Sequence, residues 1–331
     1  MEPLTIEPFG YTEDEYRQLV QIEAAVFGMP PLPIAEYRHD DQTRRPDFPF
    51  QRDWIRRGGR AIAFVEWGQL PHAFHPQKYD VRIYVDPAHD AAGVRPFYLD
   101  HLLQQLRGRD VIALTSGMLE NCAEAMRFFD AYGFVEVARE EISSLDLTTW
   151  DAAAFAGRLA RVQQQGIRIV PLRALQAEDP DGWQRRLFEL DTAISRDIPS
   201  TGEKQPHTFE SWRQARITGP AFDPDGWFVA LDGDRYVGQS QGYLNPAAPD
   251  LFENRVTGVL RDYRRRGIAT AVKVHLLRYA QQRGARSIVT GNDANNPMYR
   301  LNLQLGFRPE PAWVRVEKAL APARPATALD S

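Results

Sequence analysis

Two stretches of this 331-residue chain repeat each other, and the self-similarity constrains the fold more than any other feature. Leu4-Thr5-Ile6-Glu7-Pro8-Phe9 echoes Ile167-Arg168-Ile169-Val170-Pro171-Leu172. Gly93-Val94 followed by His101-Leu102-Leu103 matches Gly267-Ile268 followed by His275-Leu276-Leu277, and Tyr132-Gly133-Phe134 matches Leu305-Gly306-Phe307. The anchors keep one order, with offsets of 163, 174 and 173 residues. Collinearity with a single jump predicts a tandem duplication carrying one insertion, and the length, about two average domains, agrees.

Each copy reads as the same series of elements. In the second, residues 167–172 alternate as a strand and 183–193 are helical. Residues 227–231 and 235–238 form a hairpin around Asp232-Gly233-Asp234, whose glycine supplies the positive φ of a tight turn. A strand over 252–260 leads to a helix from Gly267 to Gly284, with Ile268, Val272, Leu276 and Ala280 at fourth-residue spacing. A strand over 287–290, a helix over 296–303 and a closing strand over 312–316 follow. The expected fold is α/β: two tandem domains, each a mixed, mostly antiparallel twisted sheet flanked by helices. The expected boundaries are 1–147 for the N-terminal domain, 148–165 for a connecting helix, 166–318 for the C-terminal domain and 319–331 for a disordered tail.

Charge and cysteine content exclude several classes. A net charge of −4 leaves no cationic excess for a dedicated nucleic-acid binder. No apolar run approaches the ~18 residues of a membrane span, and the first residues lack the basic start and apolar core of a signal peptide. Cys122 is the only cysteine, which rules out an internal disulfide and a cysteine-pair zinc site. A cytoplasmic protein is expected, with no membrane or nucleic-acid partner; monomer and homodimer both stay open.

The stretch richest in chemistry is Val256 to Thr270, where a strand runs through Arg264-Arg265-Arg266 into a helix opening at Gly267-Ile268-Ala269. A helix start offers unpaired N–H groups and the positive end of the dipole to an anion, and small residues let backbone approach it. In this the chain resembles the GNAT superfamily of acetyl-CoA-dependent N-acetyltransferases. Their pyrophosphate loop reads Gln or Arg, two residues, Gly, one residue, then Gly or Ala, which Arg264, Gly267 and Ala269 satisfy. The resemblance covers about residues 166 to 318, with a weaker copy over about 4 to 147, a layout similar to that of mycothiol synthases and other double-GNAT enzymes. It implies acetyl-CoA as cofactor, held by Thr257, Gly258, Val259, Arg264, Arg265, Arg266, Gly267, Ile268, Ala269, Thr270, Asn295 and Asn302.

Acetyl transfer to an amine needs a group that takes a proton from an ammonium of pKa ~10, a role a carboxylate can fill. Glu253 is the candidate base, eleven residues before Arg264, the spacing at which the histone-acetyltransferase branch of the family carries its glutamate. Strand alternation puts it on one face with Thr257, and a salt bridge to Arg255 is the structural alternative. Backbone N–H groups around Thr257 to Val259 are expected to polarise the carbonyl. Many relatives carry an acid tyrosine four residues before the Gly-Phe pair; here that slot holds Asn302, and Tyr299, one turn earlier, is the substitute candidate, with packing as its other reading. His101 and His275 are read as packing residues, and Asp191 and Asp197 as ordinary helix and turn solvation, with attraction of an amine at the acceptor cleft as their other reading.

The first copy reads His89-Asp90-Ala91-Ala92-Gly93-Val94-Arg95 at the equivalent loop, with Asp90 for the basic residue and Arg95 for the small one. Tyr79 stands for Glu253, Cys122 for Asn295 and Phe129 for the acid tyrosine. This copy is expected to shape the acceptor site or the structure, and Arg95 alone leaves some phosphate contact open. The expected activity is acetyl transfer to a primary amine of a small molecule by direct attack in a ternary complex. A non-catalytic acyl-CoA sensor and an enzyme acting on a protein or peptide amine are the alternatives.

Overall fold

Thirteen strands join into one sheet that runs through both halves of the computed structural model, which describes residues 2–30 and 32–320. The first half supplies β1 (Leu4–Pro8), α1 (Glu13–Phe27), α2 (Ile34–Thr43), β2 (Phe50–Arg57), β3 (Arg60–Gly68), β4 (Lys78–Val85), α3 (Val94–Gln105), β5 (Ala113–Leu119), α4 (Ala123–Ala131) and β6 (Val135–Asp146). After α5 (Ala156–Gln164) come β7 (Ile167–Pro171), α6 (Leu172–Glu178), α7 (Trp183–Arg196), α8 (Phe209–Ile217), β8 (Trp227–Asp232), β9 (Arg235–Leu244) and β10 (Leu251–Val259). The chain continues through α9 (Ile268–Gln282), β11 (Ser287–Asp293), α10 (Pro297–Leu305), β12 (Arg308–Pro309) and β13 (Trp313–Ala319).

Local sequence explains where many elements start and stop. Thr12 and Glu15 cap α1 reciprocally, each side chain accepting the other's backbone N–H, and Gly28 ends the helix at φ 61°. The pairs Arg57↔Arg60 and Asp232↔Arg235 leave two-residue hairpin loops, with Gly58 and Gly233 both at φ 56°.

The strand order is β1-β2-β3-β4-β5-β13-β6-β11-β10-β9-β8-β7, with β12 beside β6. Only β4–β5 and β10–β11 are parallel. The order divides into two runs of six, and each run is completed by the other half's closing strand. β13, last in sequence, pairs with β5 over its whole length, whereas β6 pairs with β11 from Ser287↔Asp146 to Asp293↔Glu140. β13 and β6 meet antiparallel at the centre. The cores follow the strands: Val314 and Val316 pack with Phe64, Tyr98 and Leu102 of the first half, whereas Leu145 and Leu147 pack with Phe252, Leu277 and Phe307 of the second.

An ionised group at a β13 core position is therefore expected to damage the half that is remote in sequence. Val316→Asp costs about 2–5 kcal/mol through burial of an unpaired polar group. Urea unfolding, with hydrogen exchange resolved by segment, checks it: protection is lost first in β5 and α3, and loss confined to residues 167–305 would contradict the exchange of strands.

Candidate functional site

β10 and β11 pair only where Leu251–Glu253 meets Ser287–Val289; beyond that the parallel strands part and leave a gap. Leu260 N–H donates to Val237 O at 2.9 Å, so antiparallel alternation turns the backbone groups of Val259 and Thr257 away from β9, into the gap. Val259 O accepts from Arg264 Nε at 3.1 Å on that side. Of the N–H groups around Thr257 to Val259 expected to polarise a carbonyl, those of Thr257 and Val259 face the gap. Gly258 has a different reason for being glycine. A Cβ there would sit 2.2 Å from Ile194 of α7, so the residue permits helix packing.

A bulge between Asn254 and Val256 sets the two faces of β10. It corrects the simple alternation: Glu253 lies opposite Tyr243 on the α7 side, whereas Thr257 lies opposite Ser240 on the α9 side, with Ser240 Oγ and Thr257 Oγ1 2.8 Å apart. The salt bridge to Arg255 is corrected as well. Glu253 Oε2 accepts from Tyr243 Oη at 2.9 Å and Oε1 from Asn245 Nδ2 at 2.7 Å. Arg255 instead reaches Glu36 of α2, at 3.0 Å, and Tyr243 Oη, at 3.5 Å. Burial and the neighbouring Glu253 push the Tyr243 phenol well up, so it stays a donor. The first half thus braces the candidate base through Glu36, Arg255 and Tyr243. Glu36, His39 and Asp40 of α2 line a pocket with Gln241, Tyr243 and Arg255. There Glu36 Oε1, His39 Nε2 and Gln241 Nε2 are buried without a partner, and burial followed by Glu36 raises the Asp40 carboxyl.

At the far end of the gap, Arg265 (φ 61°) and Gly267 (φ 83°) both adopt left-handed backbone, folding the loop so that α9 begins at Ile268. The first intrahelical bond there is Ala271 N–H to Gly267 O, which leaves the N–H groups of Arg265 through Thr270 without a protein acceptor among the described residues. The arginines are less free than their sequence suggests. Arg264 and Arg261 both pair with Asp197, whose carboxyl they hold at about 2, Arg261 contributing most. Arg266 bonds Gln165 at 2.9 Å and lies over Tyr263, and Arg265 is exposed. Asp197 is therefore a partner of the loop, which corrects its reading as turn solvation. Asp191 is corrected similarly: it is buried, accepting from Trp212 Nε1 at 2.9 Å and Gln239 Nε2 at 2.7 Å.

Between α9, α10 and β11 lies a cluster that sequence reasoning missed. Lys273 of α9 is 1% exposed, donates to Asn302 Oδ1 and sits 5.1 Å from the Phe307 ring. Asn302 is fully buried, and its Nδ2 donates to Asn292 Oδ1 at 2.6 Å. Burial alone lowers the Lys273 ammonium to about 7. Tyr299 is half-buried with a hydroxyl that bonds no described residue, and Asn295 is exposed just before α10. His275 packs 5.6 Å from Phe228 and His101 5.7 Å from Tyr98, as packing residues do.

In the first half, Gly93 (φ 71°) caps α3 in the same way, but Arg95 turns inward, 6% exposed, and burial lowers it to about 10. The side chains of residues 90–92, Asp90 among them, lie outside the described residues. No described helix is long and apolar enough to cross a membrane.

Residues 186–307 match the model of the Acetyltransferase (GNAT) family, so the second half contains a GNAT domain. The chain is 26% identical over 233 residues to a mycothiol acetyltransferase of Pseudarthrobacter chlorophenolicus, a match covering 69% of this chain and 66%, just under two thirds, of that protein. In fold it is similar to a tandem GNAT protein from the clavulanic acid biosynthesis pathway (TM-score 0.74, 19% identity, 97% of this chain and 100% of that one). A GCN5-related N-acetyltransferase from Sphaerobacter thermophilus is also similar (TM-score 0.65, 18% identity, 98% of each chain).

Lys273 makes a prediction about stability. Its folded pKa is depressed, so between about pH 7 and its unfolded value near 10 the unfolded chain binds the extra proton and stability rises with pH, by up to about 1.4 kcal/mol per unit. Lys273→Met removes that contribution. Urea unfolding at pH 7 and 9 reads it as the difference in slope between the two proteins; equal slopes would mean that the ammonium is not desolvated.

Proposed function

We propose that this chain, with its GNAT domain in the second half, is an acetyl-CoA-dependent N-acetyltransferase that acylates a primary amine of a small molecule by direct attack in a ternary complex. The observation that carries this reading is the gap between β10 and β11, lined by outward N–H groups and ending at the unpaired amides of the Arg265–Thr270 loop. Those amides and the α9 dipole suit a pyrophosphate, and Gly267 supplies the left-handed backbone (φ 83°) that turns the loop into the helix start. When bound, acetyl-CoA supplies the acetyl group as a thioester. The N–H groups of Thr257 and Val259 are preorganised donors for a carbonyl oxygen that gains charge.

Glu253 takes the proton of the acceptor ammonium, directly or through water. Its carboxylate is held by Tyr243 and Asn245, and Tyr243 is in turn held by Arg255 and Glu36. The first half thereby fixes the base and walls the acceptor side with Glu36, Asp40 and His39, groups suited to an amine.

Glu253→Gln is expected to lower kcat about 10²–10³-fold at pH 7 and less at high pH, where the amine deprotonates unaided. The measurement is thiol release from acetyl-CoA over a panel of amines, aminoglycosides, amino acids and peptides. Turnover with peptides alone would replace the small-molecule acceptor, and acetyl-CoA binding without any thiol release would favour a sensor.

One acetyl-CoA per chain is expected by calorimetric titration. Gly267→Trp abolishes it, whereas Gly93→Trp, at a left-handed position of the same kind, leaves affinity nearly unchanged. Two sites per chain would give the first half a site as well, and loss only in the Gly93 variant would assign the cofactor to that half.

A further inference from the structure

Glu253 shares one face of the sheet with side chains of the closing strand β13. The register runs from Glu253 to Val289, from Val289 to Ser144, along β6 to Glu140 and from Glu140 to Trp313, so all of these point to one side, as does Arg315. Val314 and Val316 point the other way, into the first core. On β4, Asp80 and Arg82 join the same face, because Asp80 lies opposite Thr115 and Thr115 opposite Glu317. Helices α7 and α1 border this floor, with Ile194 of α7 against Gly258 and Phe27 of α1 5.8 Å from Trp313. After α7 the chain crosses to the first half, where Glu203 bridges to Phe74 and Ser200 Oγ donates to His72 O at 2.7 Å. The floor is thus a groove, covered at its Arg315 end by the turn that carries His72.

Charge along this groove is ordered. Nearest the gap stand Glu253 and Glu140; a Cβ on Gly291 of β11 would lie 2.3 Å from Glu140 Oε1, so that carboxylate leans towards the gap. Glu140 has no hydrogen-bond or ion-pair partner among the described residues. Two strands from β11, about 10 Å away, come Trp313 and Arg315, with Arg82 beyond them. Arg82 lies 5.9 Å from the Trp313 ring and donates to Asp80 at 2.9 Å. Arg315 has no such carboxylate. Its hydrogen bond among the described residues goes to His72 Nε2, at 3.5 Å, and burial followed by the Arg82 charge lowers its guanidinium, against the opposing fields of Asp80, Glu140 and Tyr84. Trp313 Nε1 lies over Gly117, where a Cβ would come within 2.5 Å of it, and donates to no described residue. The Arg82 side chain is 25% exposed, and Arg315, Trp313 and Glu140 are half-buried, so a solute in the groove reaches all four. Two guanidiniums that share one carboxylate, beside an indole N–H with no acceptor, are complemented by an anion with several acceptor oxygens.

Resting on the function proposed above, we infer that Arg315, Arg82 and Trp313 form an anion subsite for the far end of the acceptor, which is an amine that also carries a carboxylate or a phosphate about 10 Å from the reacting nitrogen. The ammonium end meets Glu253 and Glu140. The acid end meets Arg315, the guanidinium left without a counter-ion, and the Trp313 N–H, whereas Arg82, held by Asp80, adds to the field. The first half and the exchanged strand thereby select the acceptor by its charge.

The test measures thiol release from acetyl-CoA by the full chain, with ω-amino acids of increasing length against their primary amides and with aminoalkyl phosphates against the matching amino alcohols. At the lengths that reach Arg315, kcat/KM of the wild-type protein is expected to favour the charged member of a pair at least about tenfold, and the two series tell whether the acid is a carboxylate or a phosphate. Arg315→Gln removes that preference, Arg315→Lys keeps part of it, and Arg315→Glu inverts it. Equal kcat/KM for both members of every pair in the wild-type protein overturns the inference without any variant. An Arg315→Gln protein that loses activity on both members and keeps their ratio also overturns it, since that is what a packing role does. If no amine releases thiol, the transferase reading itself fails and this inference falls with it, whereas turnover without charge preference defeats this inference alone.

Discussion

Antiparallel pairing of β6 with β13 at the middle of the sheet is the contact on which both halves depend. Each half has five strands of its own and an open edge at β5 or β11, and such an edge is a ready template for pairing with another strand. The exchanged strands satisfy both edges and carry Val314, Val316, Leu145 and Leu147 into the opposite cores. The halves are therefore fixed relative to each other by backbone ladders, a stiffer connection than side-chain contact at a domain interface. That stiffness lets Glu36 of the first half serve a residue of the second at 3.0 Å.

The gap between β10 and β11 follows from the same arrangement. A parallel pair that stays together would consume the outward groups of Thr257 and Val259 in its own ladder. Because β11 is drawn across to β6 from Ser287 to Asp293, it is fully paired on that side and free to leave β10 after three residues. Binding surface is obtained by withholding one set of hydrogen bonds, with the rest of the sheet supplying the stability.

What could be read from the sequence was whatever is encoded locally. Gly233 in a two-residue loop, Gly267 before a helix and fourth-residue spacing along α9 each fix backbone within a few residues. Period-two alternation marked the closing strand but carries no information about its partner, so its place beside β5 was invisible. The bulge at β10 is one residue of altered backbone with no compositional mark, and it alone reversed the face on which Glu253 lies relative to Thr257. Asp197 looked like a solvated turn residue because its arginine partners are 64 and 67 residues away. Lys273 did leave a trace: aligning the copies sets a lysine against Leu99, an apolar-to-charged exchange at a core register of a repeated helix.

Because β13 is the last described strand to be synthesised, the order of manufacture opposes the order of assembly. The first half emerges from the ribosome with one edge of β5 open and part of its apolar core uncovered, and stays so until residue 319 has left the exit tunnel. Each half is completed only by a strand of the other. For most of translation that edge is open, the kind of surface that invites pairing with other chains.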